Sequence, residues 1–182
     1  MVKLETERLY LQPFKKLDSS RIQELANNKE VANILGLPHP YLLKYAEDWI
    51  DTHPELIKKG VEYPLAIVYK NTKEIIGTIN IRVDHNNNKG ELGYWIGRDY
   101  WGNGFATEAV KQIISFGFNE LNLNKIWAAA ISRNKASIMV LEKAGLQKEG
   151  TLRQNKLLLN NYEDVEVYGL LKVEFTKQDS CK

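Results

Sequence analysis

Between residues 91 and 117 the chain runs from a strand pattern through two closely spaced glycines into a helix pattern, an order suited to holding an anion. Glu91 to Gly97 alternates, with Leu92, Tyr94 and Ile96 on one face and Glu91, Gly93 and Trp95 on the other. Trp101-Gly102-Asn103-Gly104-Phe105-Ala106-Thr107 comes next, and Ala106, Ala109, Val110, Ile113, Ile114 and Gly117 then recur at helical spacing for about four turns. The glycines let backbone approach a ligand without a Cβ, and the first amides of a helix are unpaired donors at the positive end of its macrodipole. A phosphate or pyrophosphate is the natural guest. The segment is not a Walker loop, because Gly97-x4-Gly102 is followed by Asn103 where that loop needs lysine. Nor is it a dinucleotide fingerprint, since Gly102-x-Gly104-x-x-Thr107 lacks the third glycine. Taken alone, such a loop is more often a glycine-rich turn that merely joins strand to helix.

The surrounding elements must position this loop. The 182 residues fit one domain, and 43% hydrophobic content suffices for burying about 70% of the chain's surface on folding. Lysine and arginine exceed the acids by 25 to 23, a net charge of +2 that favours neither nucleic acid nor an acidic membrane as partner. Cys181 is the single cysteine, and His39, His53 and His85 form no ligand pair, so neither a disulfide nor a metal is expected. The N-terminal residues carry acids where a signal peptide needs an apolar run, and the longest apolar stretch, Ile126 to Ile131, cannot span a bilayer. A cytoplasmic protein is expected.

Arg8 to Phe14 reads as an opening strand, with Asp18 and Ser19 able to cap the helix after it. Two helical stripes come next, Ile22 to Ala26 and Leu42 to Ile50, the second broken or kinked at Pro54. Tyr63 to Tyr69, Ile75 to Val83 and Glu91 to Gly97 form an antiparallel meander. After the long helix come a strand at Lys125 to Ile131, a helix at Asn134 to Ala144, and strands at Gln147 to Leu157 and Tyr162 to Phe175. The expectation is an α+β domain over residues 1–175 with one central strand-helix-strand crossover, followed by a polar tail over 176–182.

Four spaced segments together are more specific than the loop alone. Glu91-Leu92-Gly93-Tyr94-Trp95-Ile96, then Tyr100 to Ala109, then Asn134-Lys135-Ala136-Ser137, and Leu141 to Leu146 resemble the successive motifs of the GNAT N-acetyltransferase superfamily. Leu4-Glu5-Thr6-Glu7-Arg8-Leu9 and Tyr162-Glu163-Asp164 narrow the resemblance to its RimJ/RimL-like branch. It implies a GNAT-like single domain, a mostly antiparallel mixed sheet flanked by helices with one splayed strand pair, that transfers an acetyl group from acetyl-CoA to an amine. The family's signature begins with Gln or Arg where this chain has Trp101, and continues at Gly104 and Ala106. That departure costs little, because such a loop holds pyrophosphate mostly through backbone N–H groups.

The resemblance places the pyrophosphate on Trp101, Gly102, Asn103, Gly104, Phe105, Ala106 and Thr107, and the pantetheine arm along Trp95, Ile96 and Gly97 opposite the strand Lys125 to Ile131. Gly93 is either a bulge that opens the gap or a packing glycine. Asn134 matches a residue that contacts CoA in related enzymes and is equally well placed to cap the following helix. The tyrosine that many relatives use as acid is replaced by Leu141. Ser137 matches the RimL-like serine, which either protonates the departing thiolate or holds the cofactor. At the position of the RimL-like glutamate stands Lys156, a solvated lysine or a selector of acidic substrates. Glu91 is then the candidate base and the Ile96 N–H the candidate oxyanion donor.

An α-amine of pKa about 8 asks less of a base than a lysine of about 10.4. A protein N-terminus is the first expected acceptor, and a small-molecule amine such as a polyamine or aminoglycoside the second. A non-catalytic acyl-CoA-binding domain is the rival from another class.

Overall fold

The computed structural model describes residues 2–179, with side chains through Thr176; Cys181 and the rest of the expected tail beyond residue 179 lie outside it. Eight strands form one sheet: β1 (Leu4–Glu5), β2 (Leu9–Pro13), β3 (Glu62–Tyr69), β4 (Ile75–Asp84), β5 (Lys89–Ile96), β6 (Lys125–Ile131), β7 (Gln147–Leu158) and β8 (Asn161–Leu171). Their spatial order is β1-β2-β3-β4-β5-β6-β8-β7. Every neighbouring pair is antiparallel except β5 and β6, which the helix α5 (Phe105–Asn119) connects. A two-residue turn cannot join parallel strands, so a crossover helix is required at this one place. The expected α+β sheet with its central crossover is what the chain forms.

The apolar stripe of α5 explains its position. Ala109, Val110, Ile113, Ile114 and Phe118 are buried with Leu9, Leu65, Ile79, Ile81, Leu92 and Ile126 of the sheet. Each fully buried Val, Leu, Ile or Phe among these contributes about 1.5–3 kcal/mol. Helix α6 (Lys135–Lys143) adds Ile138 and Leu141 to this core. On the opposite face α1 (Ser19–Ala26) and α3 (Leu43–Asp51) bury Ile22, Leu25, Ala46 and Ile50 against Ala66, Val68 and Ile75. The alternation in β4 changes face because the β3–β4 register shifts at Ile67/Val68. Ile75 therefore belongs to one core while Ile79 and Ile81 belong to the other.

Several sequence expectations shift. The segment before β3 holds four short helices instead of two, with α2 (Lys29–Leu35) and α4 (His53–Lys59) added. The side chain of Asn28 caps α2 through Glu30 and Val31 N–H, a signal the apolar stripe obscured. Pro54 sits in the first turn of α4, where its missing N–H costs nothing. Asp18 stands at the N-cap position of α1 but gives that helix no side-chain cap; its carboxylate accepts from Lys15 N–H at 2.7 Å and closes the 3-10 turn Lys16–Asp18. The last strand stops at Leu171, where Lys172–Asp179 turns into a closing helix, α7, and Phe175 packs on Phe118. No helix among the described residues is long and apolar enough to cross a membrane.

Candidate active site at the splayed strands

The β5–β6 ladder pairs Lys89 with Lys125 through Leu92 with Ala128 and stops there, although both strands continue. Outer strands carry each of them onward, since β4 pairs β5 to Ile96 and β8 pairs β6 to Ile131. The two strands diverge like an open fork. Gly97 N–H bonds to Ile76 C=O at 2.8 Å, so in the alternating antiparallel pattern the amides of Trp95 and Gly97 face β4. Those of Tyr94 and Ile96 face the fork, where no strand meets them. Gly97 is thereby turned away from the place expected of it, while Trp95 reaches the fork only through its side chain.

Gly93 is the packing glycine of the two alternatives. The β4–β5 register passes through Asn80 and Gly93 without a shift, and a Cβ built there would stand 2.5 Å from Asn80 Oδ1.

At the mouth of the fork Gly102 and Gly104 adopt φ of 76° and 78°, left-handed conformations costly for any other residue. Gly104 is the N-cap of α5 and supplies no side-chain cap, so the first amides of a 15-residue helix point outward unscreened. A Cβ on Gly102 would meet nothing within 4 Å. Asn103 serves the loop itself, its Nδ2 donating to Tyr100 and Trp101 carbonyls. Trp101 Nε1 donates to Ile96 C=O at 2.6 Å, fastening the loop to the fork's edge.

A second clamp comes from the start of the chain. Glu108 accepts from Thr6 Oγ1 at 2.6 Å, Arg8 N–H at 2.8 Å and Arg8 Nε at 2.7 Å, and Arg8 Nη1 donates to Asn103 C=O at 3.0 Å. Burial works against the charge of Glu108, yet these hydrogen bonds hold its carboxyl below the usual value. The partners lie about a hundred positions apart, and no local pattern announces them.

Two cavities of about 410 and 400 Å³ open on the fork. The first is lined by Ile96, Trp101, Gly102, Gly104, Phe105, Ala106 and Thr107. The second is lined by Trp49, Glu62, Asn80, Arg82, Ala129 and Lys156. Ile34, Leu35, Tyr94, Trp95, Asn134 and Ser137 line both, so the two cavities adjoin across a shared wall. At their junction Tyr94 Oη lies 2.9 Å from Ser137 Oγ and 3.1 Å from Ser137 C=O. Burial pushes the Tyr94 phenol up to about 12, so it keeps its proton at neutral pH. Asn134 Oδ1 accepts from Ser137 N–H, the cap that the sequence offered as one of two roles.

Of the expected chemical residues, the fork gathers Trp95, Ile96, Trp101, Gly102, Gly104 to Thr107, Asn134 and Ser137. It does not gather Glu91. That carboxylate projects from the paired part of β5, lies 3.6 Å from Arg82 Nη1, and lines neither cavity. The carboxylate inside the second cavity is Glu62, which accepts from Asn80 Nδ2 at 2.5 Å and Arg82 Nε at 3.2 Å. Leu141, which the sequence resemblance set against a tyrosine of relatives, is fully buried in the core.

Comparison with known proteins assigns this fold to a family. Residues 8–147 match the acetyltransferase (GNAT) domain. The chain belongs to the GNAT acetyltransferase family. An uncharacterised N-acetyltransferase of Bacillus licheniformis, p20, is 35% identical over 96% of this chain and 99% of its own. The ribosomal-protein-S5-alanine acetyltransferase of Vibrio fischeri superposes with a TM-score of 0.85 at 25% identity, over 94% of this chain and 97% of that one. A spermidine N-acetyltransferase from Vibrio cholerae, solved with CoA and spermine, shares the fold with a TM-score of 0.81 at 21% identity, over 94% and 99%. This GNAT protein is an acetyl-CoA-dependent N-acetyltransferase.

Proposed function

We propose that this enzyme acetylates a primary amine by direct attack on acetyl-CoA, and that its acceptor is the N-terminal amine of a protein. The supporting observation is a pair of adjoining cavities, with the uncapped end of α5 on one side of the Tyr94–Ser137 junction and a polar cleft on the other. In this reading the α5 amides and Gly102–Thr107 take the pyrophosphate, and Ile96 N–H pairs with the pantetheine arm. Ile96 lines the first cavity alone, whereas Tyr94 stands at the junction. We therefore assign the oxyanion to Tyr94 N–H in place of Ile96 N–H.

The amine nitrogen forms a bond to the thioester carbon, the carbon–sulfur bond breaks, the nitrogen sheds a proton and the thiolate gains one. Glu62, directly or through water, accepts the first proton. The hydroxyl pair of Tyr94 and Ser137 supplies the second, with Tyr94 acting as a donor because it remains protonated. Asn134 keeps Ser137 in position from the helix start. The acceptor assignment draws on the ribosomal-protein acetyltransferase fold match and on the lesser demand an α-amine makes of a base.

Thiol release from acetyl-CoA, followed with N-terminal peptides, polyamines and aminoglycosides, tests this function. Turnover is expected with peptides. Tight CoA binding without thiol release on any amine would instead leave a binding domain. Gly104→Trp, which blocks the helix end, should abolish CoA binding; unchanged affinity would remove the pyrophosphate from this place.

A further inference from the structure

The acceptor cleft is cationic in a way the whole-chain charge conceals. Its lining carries one acid, Glu62, and two bases, Arg82 and Lys156. Arg82 is committed to Glu62 and approaches Glu91. Lys156 forms no ion pair with any carboxylate among the described residues. Its neighbour across the β7–β8 ladder, Glu163, is turned to Arg133, with Nε 2.7 Å from Oε1.

A local irregularity puts Lys156 there. Leu152 pairs with Val165, so a regular ladder would set Gln154 opposite Glu163 and send Lys156 two residues further toward the hairpin tip. The register instead shifts between Leu152 and Lys156, with Gln154 at φ 50° and its N–H held by Asp164 Oδ1 at 2.7 Å. Two extra residues are absorbed, and the lysine takes the place opposite Glu163 beside the cleft. Bulges re-aim side chains in this manner, and here the effect is an unpaired ammonium on the acceptor side of the fork.

We propose that Lys156 selects acceptors bearing a carboxylate close to the reacting amine, and that the cleft discriminates against polyamines. The selection rests on the acetyl-transfer reading above and makes it specific. A free amino acid and a protein N-terminus with an acidic residue in its first positions share the required chemistry. A polyamine brings a second cation toward Arg82 and Lys156, where like charges repel.

The experiment compares a tripeptide with glutamate in second place, its lysine counterpart, free glutamate and spermidine. Both kcat/KM from thiol release and calorimetric binding to the CoA-loaded protein are measured at low and high salt, for wild type, Lys156→Glu and Lys156→Arg. Wild type and Lys156→Arg should prefer the acidic tripeptide over the lysine one by about tenfold at low salt, with the preference shrinking as salt is added. Lys156→Glu should reverse the preference while thermal midpoint and CoA affinity stay unchanged. Turnover of free glutamate at a comparable rate would assign the acid to a small molecule; preference for the tripeptide assigns it to a protein terminus. Equal use of acidic and basic tripeptides by wild type, or a Lys156→Glu protein with the wild-type ratio, overturns the proposal. If no acceptor turns over, the transfer reading fails separately, and the calorimetric ratio still decides for or against Lys156.

Discussion

Tyr94 Oη and Ser137 Oγ stand 2.9 Å apart, joining a strand and a helix that are 43 positions apart in the chain. The contact lies beyond the point where the β5–β6 ladder ends, and both of its residues line both cavities. In the proposed mechanism this pair takes the part of the helix tyrosine that the family resemblance led one to expect where Leu141 stands, and it does so from a different element of the fold.

If these hydroxyls deliver the proton to the thiolate, Ser137→Ala and Tyr94→Phe should each lower kcat by about a hundredfold, in the range for loss of a general acid. The double variant should cost little more than either single one, because the two act as a unit. CoA affinity should change far less than kcat. Steady-state kinetics beside CoA titrations separate these effects, and fully additive losses would show that the hydroxyls act independently.

The two carboxylates make opposite predictions. Glu62→Gln should lower kcat/KM for an α-amine by about tenfold, a modest loss since such an amine with pKa about 8 is already partly neutral. Glu91→Gln, which alters a side chain paired with Arg82 outside both cavities, should leave rate and profile within twofold of wild type, since surface substitutions of this kind rarely matter. A tenfold loss in Glu91→Gln with none in Glu62→Gln would return the role of base to the residue the sequence suggested.

His53 sets a limit on acid stability. It is 2% exposed against Phe14 and Trp49, and neither ring nitrogen has a hydrogen-bond partner. Burial lowers its pKa from 6.5 to about 4. Because the folded pKa lies below the unfolded one, the unfolded chain takes up the proton first as pH falls. Stability is full above pH 6.5 and is lost progressively down to about pH 4, by at most about 3 kcal/mol. Urea midpoints across this range should fall less steeply for His53→Phe than for wild type, and parallel curves would refute the assignment.

Much of the architecture was legible because it is written in short-range patterns. The alternation from Glu91 to Ile96, the helical stripe after Gly104 and the apolar run Lys125–Ile131 each declare an element and a buried face without reference to the rest of the chain. The four helices before β3 were harder. Their apolar stripes are brief, and their limits depend on caps such as Asn28, whose side chain competes for backbone donors over two or three residues.

The site was legible in half. Two close glycines ahead of a helical stripe announce a bare helix end because the requirement is local, and the sequence alone determined that feature, the succession of the strands from Leu9 to Leu171 and the crossover that sets β5 beside β6. Which side chains meet in the fork was decided only by tertiary structure. Tyr94 reaches Ser137 because the ladder ends at Leu92, Glu108 clamps Arg8 across a hundred residues, and Lys156 rather than Gln154 faces Glu163 because β7 is bulged. Glu91 and Glu62 look alike as strand carboxylates, and only the register of three paired strands puts one of them in the cleft. Such contacts depend on where hydrogen-bonded ladders stop and slip, which is a sum over long-range pairings that no window of neighbouring residues contains.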